Sequence, residues 1–206
     1  MISPSPSPSS DPSWQREQPF TWANLVTAVR TVVGVALFSI AAFERSAAWN
    51  FAGLAVYWSL DMLDGFLARR LHQETRLGAQ FDILADRLLV AFFYLNYLAL
   101  HPGRAVVVAL FLFEFMVVDH YLSNQFLRWP ILSPNYFYKV DRLIWKLNWS
   151  LPGKLFNTGL ITMLLLLVPP AWPALSACVI LIGLKLYCCV RLHGLAQPEV
   201  AFIPIR

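Results

Sequence analysis

Long apolar runs, separated by short polar segments, restrict how this chain can fold more than any other feature. Hydrophobic residues make up 58% of the sequence and charged residues 14%, which is too apolar for an ordinary soluble domain. A helix needs about 20 apolar residues to cross the hydrocarbon core of a bilayer, and several of the runs approach that length. The sequence therefore predicts an all-α integral membrane protein that crosses the membrane several times.

The apolar runs divide the chain into six predicted transmembrane helices and two tails. Residues 1–19 are rich in Pro and Ser and predict a disordered tail, residues 20–194 form the transmembrane domain, and residues 195–206 form a short C-terminal tail. Between the fourth and fifth spans, Pro130 and Pro134 exclude one continuous helix. The aromatic and basic residues of that connection predict an interfacial segment along the membrane surface. The predicted spans are 25–43, 47–69, 78–100, 105–122, 155–167 and 174–190.

The positions of the basic residues predict the orientation. With six spans, both termini lie on the same side of the membrane as the connection between the fourth and fifth spans. That side carries nearly all the Lys and Arg, whereas the opposite loops hold only Arg45 and Arg104. Because basic loops stay in the cytoplasm, this side is predicted to be cytoplasmic.

Four aspartates within this apolar chain give the clearest indication of chemistry. Asp61 and Asp64 share one helical face at the end of the second span, and Asp82 and Asp86 share one at the start of the third. Both pairs lie at the cytoplasmic side of the predicted bundle. Small residues beside the acids would let a bulky ligand approach the backbone. These small residues are Gly65, Ala68 and Gly78.

The chemistry that such acids support depends on what neutralises them. Carboxylate oxygens are the ligands that hard divalent cations such as Mg²⁺, Mn²⁺ or Ca²⁺ prefer. Nearby guanidinium groups suit phosphate oxygens, so acids, metal and arginines together indicate chemistry on a phosphate anhydride. The alternative is a solvated, salt-bridged helix end, which the rarity of acids in apolar helices disfavours. The arginines are Arg69, Arg70, Arg76 and Arg87.

A polar stripe on the first span is the next candidate. Asn24, Thr27 and Arg30 recur every third residue on an otherwise apolar helix. Capping of the helix start by Asn24 and snorkelling of Arg30 would explain the stripe without a ligand. Since a charge inside a membrane is costly and usually has a partner, we favour a role in a headgroup site for Arg30. For Asn24 and Thr27 both interpretations stand.

The acidic segment resembles the signature of the CDP-alcohol phosphotransferase family. All eight fixed positions of that signature are matched, which makes the pattern a specific one. The resemblance implies an integral membrane enzyme in which an acceptor hydroxyl displaces CMP from a CDP-linked lipid or alcohol with the help of divalent metal. The matching residues are Asp61, Asp64, Gly65, Ala68, Arg69, Gly78, Asp82 and Asp86.

The resemblance also implies a role for each of these residues. Asp61, Asp64 and Asp82 would ligate Mg²⁺ or Mn²⁺. Asp86 would share in this ligation and act as general base towards the acceptor hydroxyl. The donor would be CDP-diacylglycerol, with its acyl chains among the membrane lipids, and a homodimer is expected. The residues expected to bind the nucleotide and its phosphates are Gly65, Ala68, Arg69, Gly78, Asn24 and Thr27.

Two kinds of acceptor remain open. From Arg69 to Arg87 the segment is similar to eukaryotic phosphatidylinositol synthases, which implies inositol. Inositol phosphate or glycerol phosphate is the alternative and would need further cations, which the basic connection after the fourth span offers. Glu114, near the middle of the fourth span, is predicted to form a buried hydrogen bond between helices instead. The predicted acceptor residues are Asp119, Lys139, Arg142 and Lys146.

Two other classes of protein are compatible with an acidic membrane bundle. An ion-coupled transporter predicts acids spread through the spans, whereas these acids cluster at one face beside arginines. A catalytically silent, lipid-binding member of the same fold predicts the loss of at least one aspartate, and all are retained. The net charge of +4 is modest, and we expect no nucleic-acid partner.

Overall fold

The computed structural model describes residues 20–196, and every regular element in that range is a helix. The predicted all-α class is confirmed. The predicted tail 1–19, and all but the first residues of the tail 195–206, lie outside the described residues. The seven main helices are α1 Trp22–Glu44, α2 Ala47–Arg70, α3 Arg76–Leu100, α4 Pro102–Arg128, α5 Arg142–Asn148, α6 Leu151–Leu167 and α7 Trp172–His193.

Four of these helices, α1, α3, α4 and α7, are long and apolar enough to cross a membrane. Helices α5 and α6 meet at a bend of 46° and together would make a fifth span. The chain is thus an integral membrane protein with four to five candidate spans among the described residues. The predicted count of six would require α2 to cross as well. Helix α2 is long enough, but two aspartates and two arginines in its C-terminal half make it less apolar.

Side-chain caps begin the first three helices. The side chain of Thr21 accepts a hydrogen bond from the backbone N–H of Asn24 at the start of α1, and Ser46 caps α2 in the same way. Thr75 caps α3 by accepting from the N–H of Gly78 at 2.9 Å. Since capping satisfies N–H groups that have no intrahelical partner, the break between α2 and α3 falls where the polar segment predicts it.

Helices α1, α2 and α3 pack closely through glycines. A Cβ atom on Gly34 of α1 would lie 2.7 Å from Leu89 of α3. One on Gly53 of α2 would lie 2.7 Å from the ring of Phe38 on α1. Because small residues let helix backbones approach each other in membranes, these contacts hold the acidic ends of α2 and α3 against α1.

Two helices contain π-helical turns. Residues Glu114–Asp119 interrupt α4, and residues Leu155–Gly159 interrupt α6. In a π-helical turn the backbone bonds run from residue i to i+5, so the turn holds one residue more than an α-helical turn. Both turns place side chains on the cavity described below.

The connection between α4 and α6 folds into short pieces, in agreement with the prediction that it is not one helix. It contains the 3₁₀ helix Pro134–Lys139 and the short helix α5. Phe126, Phe137 and Ile144 form a buried cluster with residues of α3 and α7. The guanidinium of Arg76, at the start of α3, donates to the carbonyls of two residues of the connection, Trp129 and Ile131. The connection is therefore held against the bundle.

Candidate functional site

The four signature aspartates surround the guanidinium of Arg30. Its Nη1 donates a short hydrogen bond to Asp61 and lies 3.3 Å from an oxygen of Asp64. Its Nη2 lies 2.7 Å from Asp82 and 3.2 Å from Asp86. Two of these acids come from the end of α2 and two from the start of α3, so one arginine of α1 joins three helices. Arg30 thus has the ionic partners that the cost of an intramembrane charge predicts, and its role in a headgroup site stays a prediction.

This cluster carries more negative than positive charge. Within residues 20–196, Arg30 is the side chain that forms ion pairs with the four aspartates, which leaves three carboxylate charges without a paired cation. The side chain of Arg30 is completely buried, whereas those of Asp61 and Asp82 are 39% and 41% exposed. The arginine therefore lies on the buried side of the cluster, and Asp61 and Asp82 are its most exposed acids.

The acids fit a divalent cation. One oxygen of each of Asp61, Asp64 and Asp82 lies within 4.8 Å of the others, which is close enough for one or two hard cations to contact several of them. Oxygen ligands of this kind suit Mg²⁺ or Mn²⁺. A divalent cation would supply the positive charge that the cluster lacks, and the carboxylate oxygens are ligands that such a cation prefers. The residues present therefore fit the predicted metal.

The polar stripe of α1 faces the same cluster. The hydroxyl of Thr27 donates to Asp64 at 2.9 Å and to the carbonyl of Ala23 at 3.1 Å. Asn24 packs against Gly78, where an added Cβ would lie 2.6 Å from the Asn24 side-chain oxygen. Thr27 thus orients a predicted metal ligand, and Gly78 is small because α1 and α3 meet there.

A cavity of about 580 Å³ adjoins the acids. It brings together all the residues predicted to ligate metal or to bind the nucleotide. It also contains Asp119 from the set predicted to bind the acceptor. The predicted residues on its wall are Asn24, Thr27, Asp61, Asp64, Gly65, Ala68, Arg69, Gly78, Asp82, Asp86 and Asp119.

Two cations on the cavity wall, Arg69 and Lys154, form no ion pair with another described residue. The guanidinium of Arg69 lies over Gly65, where an added Cβ would be 3.3 Å from its Nη1. Lys154 precedes the π-helical turn of α6 and was not among the predicted site residues. A basic residue at the start of the short fifth span was the signal that would have found it.

The other predicted acceptor cations lie elsewhere. Lys139, Arg142 and Lys146 are absent from the cavity wall formed by residues 20–196. The ammonium of Lys139 lies 5.1 Å from the ring centre of Tyr136. Arg142 and Lys146 belong to the short helix α5. Their role towards an acceptor stays a prediction.

A second cluster of charges lies deeper in the bundle. The ammonium of Lys185, on α7, is 2.6 Å from Glu114 and 2.5 Å from Asp119. Asp119 also accepts a short hydrogen bond from Arg87, whose guanidinium donates to the carbonyl of Phe115 at 2.7 Å. Glu114 therefore has an ionic partner where a hydrogen bond was predicted. Lys185, a cation within the last apolar run, was the missed signal.

Two of the four arginines considered for phosphate binding have other partners. Arg87 belongs to the second cluster, and Arg76 holds the backbone of the connection. Arg69 remains on the cavity wall, and Arg70 is an exposed residue at the end of α2. Of these four arginines, Arg69 is therefore the one that lines the cavity and forms no ion pair with a described residue.

Two ionisable groups outside the spans fix the connection. The phenol of Tyr136 donates to Glu74 at 2.6 Å, and this bond raises the pKa of Tyr136 to about 12. Asp141 caps α5 by accepting from two backbone N–H groups and pairs with Arg191 of α7 at 2.7 Å. Partial burial alone would raise the pKa of Asp141, but these bonds outweigh burial and lower it.

Comparison with known proteins agrees with this arrangement. The family model described as CDP-alcohol phosphatidyltransferase matches residues 20–188. The chain is 35% identical over 85 residues to cholinephosphotransferase 1 of Danio rerio, a match that covers 39% of this chain and 22% of that protein. It is 40% identical over 73 residues to a CDP-diacylglycerol--glycerol-3-phosphate 3-phosphatidyltransferase of Salmonella typhimurium, which covers 35% of this chain and 28% of that protein.

A third relative, the protein of the same name from Aquifex aeolicus, is 50% identical over 38 residues, which are 18% of this chain and 21% of that protein. The matched segments thus span less than a third of each of these relatives. No solved structure matches the chain significantly. These relatives carry the names of choline and glycerol 3-phosphate transferases, so the predicted closeness to phosphatidylinositol synthases stays a prediction.

Proposed function

The chain belongs to the CDP-alcohol phosphatidyltransferase family, and we propose that it transfers a phosphatidyl group from CDP-diacylglycerol to the hydroxyl of an alcohol, with release of CMP. The observation that carries this proposal is the excess of carboxylates around Arg30, beside a cavity with two cations, Arg69 and Lys154, that form no ion pair within residues 20–196. Such a site suits a ligand that brings metal and phosphate together.

Asp61, Asp64 and Asp82 would hold Mg²⁺ or Mn²⁺, and Asp86 would share in the ligation. When bound, the metal supplies positive charge that neutralises the diphosphate and the leaving CMP. Arg30 keeps the carboxylates of α2 and α3 together, and Thr27 holds Asp64 in one orientation. These two residues make the site ready for its ligand, because the carboxylates would otherwise repel each other.

The donor lies along α1, α2 and α3 in this proposal. Asn24, Thr27 and the small residues of the signature would contact the cytidine and diphosphate, and Arg69 would bind a phosphate oxygen by charge-assisted hydrogen bonds. Exposed apolar side chains on α2 and α3 would contact the acyl chains within the bilayer. The small residues are Gly65, Ala68 and Gly78.

Asp86 is the proposed general base. An oxygen of its carboxylate would take the proton of the acceptor hydroxyl as that hydroxyl attacks the lipid-side phosphorus. A bond forms between the acceptor oxygen and phosphorus, the bond between phosphorus and the oxygen of CMP breaks, and CMP leaves with the bonding electrons. The Asp86 side chain is 28% exposed and lines the cavity, so an acceptor can reach it.

For the acceptor we favour a polyol phosphate, with glycerol 3-phosphate as the first to test. Lys154 supports this choice because it places a cation on the cavity wall, near Asp82. The names of the Salmonella typhimurium and Aquifex aeolicus relatives support it as well. Inositol is the second candidate, and Asp119 favours it, because a carboxylate held by two cations can accept hydrogen bonds from neutral hydroxyls.

The proposed arrangement in the membrane follows the charges. Helix α2 would complete six spans, and the acidic cluster would face the cytoplasm together with the basic connection. The connection between α4 and α6 would lie at the membrane surface beside anionic lipid headgroups. A homodimer remains part of the proposal.

An acceptor screen tests the proposed function. The purified protein would receive CDP-diacylglycerol and Mg²⁺, and CMP release would be followed with glycerol 3-phosphate, inositol, inositol phosphate and serine in turn. We expect release with glycerol 3-phosphate that disappears in EDTA. Release with inositol alone would favour the second candidate, and the absence of release with every alcohol would contradict the proposal.

A further inference from the structure

Three buried oxygen atoms of residues on the cavity wall have no hydrogen-bond partner among the described residues. They are the hydroxyl oxygen of Ser133 and the side-chain oxygens of Asn148 and Asn157. Their residues are 8%, 4% and 6% exposed. Buried polar groups are nearly always paired, because leaving one without a partner is costly. Three unpaired oxygens in residues of one wall therefore indicate that a ligand binds there.

The amide groups of both asparagines have a defined orientation. The amide nitrogen of Asn157 donates to the carbonyls of Leu147 and Asn148, at 3.2 Å and 3.3 Å. The amide nitrogen of Asn148 donates to the carbonyl of Ile144 at 2.9 Å. Because a carbonyl can only accept, the nitrogen must be the atom that faces it, and the oxygen is the atom left over. Both asparagines line the cavity, and in each the side-chain oxygen is the atom left without a partner among the described residues.

Ser133 lies immediately before a helix, where a serine side chain usually caps the first backbone N–H groups. It precedes the 3₁₀ helix Pro134–Lys139, yet its side chain makes no capping hydrogen bond. Elsewhere in this chain Ser46, Thr75, Asp141 and Ser150 do cap the helices that follow them. The Ser133 hydroxyl is thus free for a partner that the cavity would supply.

We propose that Ser133, Asn148 and Asn157 form a subsite that binds the hydroxyl groups of the acceptor alcohol. The two amide oxygens can only accept hydrogen bonds, so the ligand must donate them. A polyhydroxylated alcohol has several O–H donors, whereas a quaternary ammonium group has none. Lys154 stands three residues before Asn157 and would take the anionic group of the same molecule. This inference rests on the proposed function and identifies the wall that selects the acceptor.

The donor nucleotide also has hydroxyl groups, so the position of the subsite matters. The residues assigned to the donor lie on α1, α2 and α3, whereas the three unpaired oxygens belong to the connection, α5 and α6. Two walls from different parts of the chain therefore meet at the cavity. We assign the second wall to the acceptor.

Ser133→Ala is the cleanest test, because the hydroxyl has no partner that the protein would lose. We expect the KM for glycerol 3-phosphate to rise about fivefold, as for the loss of one neutral hydrogen bond, with no change in the KM for CDP-diacylglycerol or in the unfolding temperature. A rise in the KM for CDP-diacylglycerol instead, or unchanged values for both substrates, would overturn the subsite.

Asn157→Ala extends the test, with Asn96→Ala as a matched control. Asn96 is also a buried asparagine whose amide donates to a backbone carbonyl, that of Phe38 at 2.8 Å, but it does not line the cavity. Both variants should unfold at lower temperature. Only Asn157→Ala should raise the KM for the acceptor, again about fivefold. Equal effects on the KM in the two variants would show a general loss of structure and contradict the subsite.

Direct binding separates this proposal from the proposed function. Radiolabelled glycerol 3-phosphate and inositol would be titrated into the protein in lipid nanodiscs with Mg²⁺, without a donor. Binding that weakens in Ser133→Ala supports the subsite even if no CMP is released, in which case the proposed transfer fails alone. CMP release by the unaltered protein, together with unchanged acceptor binding in Ser133→Ala and Asn157→Ala, would refute the subsite alone.

Discussion

The two charged clusters of this bundle differ in how completely their charges are paired. Around Arg30, four carboxylates share one guanidinium. Around Lys185, two carboxylates, Glu114 and Asp119, meet two cations, of which Arg87 is the second. The first cluster has an excess of negative charge, whereas the second is neutral and largely buried. Both contribute residues to the wall of the cavity.

This difference separates a cluster that has room for a further cation from one whose charges are already balanced. The loss of one partner from a buried ion pair strongly destabilises the folded protein, because the remaining charge is then isolated in an apolar medium. The Lys185 cluster meets that description, because its charges are balanced by the described side chains. The Arg30 cluster has more carboxylates than ion-paired cations among the described side chains, and a divalent cation would supply the difference. Four changes should break or sharpen the contrast.

The largest effect is expected at Asp86. The Asp86→Asn variant keeps the shape of the side chain but removes the base, so CMP release should fall about a thousandfold, within the range for general-base catalysis. CDP-diacylglycerol binding, measured by titration in nanodiscs, should persist because Asp61, Asp64 and Asp82 remain. Turnover at the rate of the unaltered protein would eliminate Asp86 as the base.

Removing the central cation of either cluster should destabilise the protein, but Mg²⁺ should restore stability in only one of the two variants. Lys185→Met leaves two buried carboxylates with one guanidinium, and we expect a loss of about 3–5 kcal/mol in the free energy of unfolding. Arg30→Met should cost a similar amount. Mg²⁺ should restore part of the stability of Arg30→Met and none of that of Lys185→Met.

Unfolding temperatures with and without Mg²⁺ measure this contrast. The double variant Lys185→Met with Glu114→Gln serves as the control, since it removes one charge of each sign and should be more stable than Lys185→Met. An equal response of Arg30→Met and Lys185→Met to Mg²⁺ would mean that the two clusters do not differ as proposed.

Metal removal from the unaltered protein should have a smaller effect. A ligand at 100 times its dissociation constant stabilises by about 2.7 kcal/mol, so EDTA should lower the unfolding temperature by a corresponding amount. The paired variant Asp61→Asn with Asp82→Asn should lose this response, whereas Glu114→Gln should keep it. An unaltered protein that unfolds identically in Mg²⁺ and EDTA would count against a metal at the Arg30 cluster.

The smallest effect is expected from the pH dependence of Asp141. Because its pKa is lowered in the folded protein, its ionised form adds stability above the unfolded pKa of about 3.9, and this contribution disappears as the pH falls through the folded value. The unaltered protein should therefore lose more stability than Asp141→Asn as the pH falls below about 3.9. Parallel unfolding curves for the two proteins across this range would contradict the assignment.

The part of the site that local patterns encode was predictable. Helical spacing placed Asp61 with Asp64 and Asp82 with Asp86, and the cost of an intramembrane charge indicated a partner for Arg30. Each pair of aspartates lies on one helix, where spacing alone determines which side chains share a face. The structure brings the two faces together as the break between α2 and α3 requires.

The Lys185 cluster could not be predicted in the same way. At regular α-helical spacing, side chains five residues apart point about 140° away from each other, so Glu114 and Asp119 would not meet one cation. The π-helical turn between them changes this angle, and no residue type reliably signals such a turn. Similarly, Lys154 rather than Lys139 reaches the cavity because of the path of the connection, which depends on tertiary contacts.

The π-helical turn of α4 has a consequence for insertions and deletions. A turn of this kind holds one residue more than regular helix, so it is equivalent to a single-residue insertion within α4. Deleting Val117 would let the helix become regular and would rotate every later residue of α4 by about 100°. Asp119 would then no longer contact Lys185, although no charged residue had been removed. The ion pair thus depends on the number of residues in α4 as much as on their chemistry.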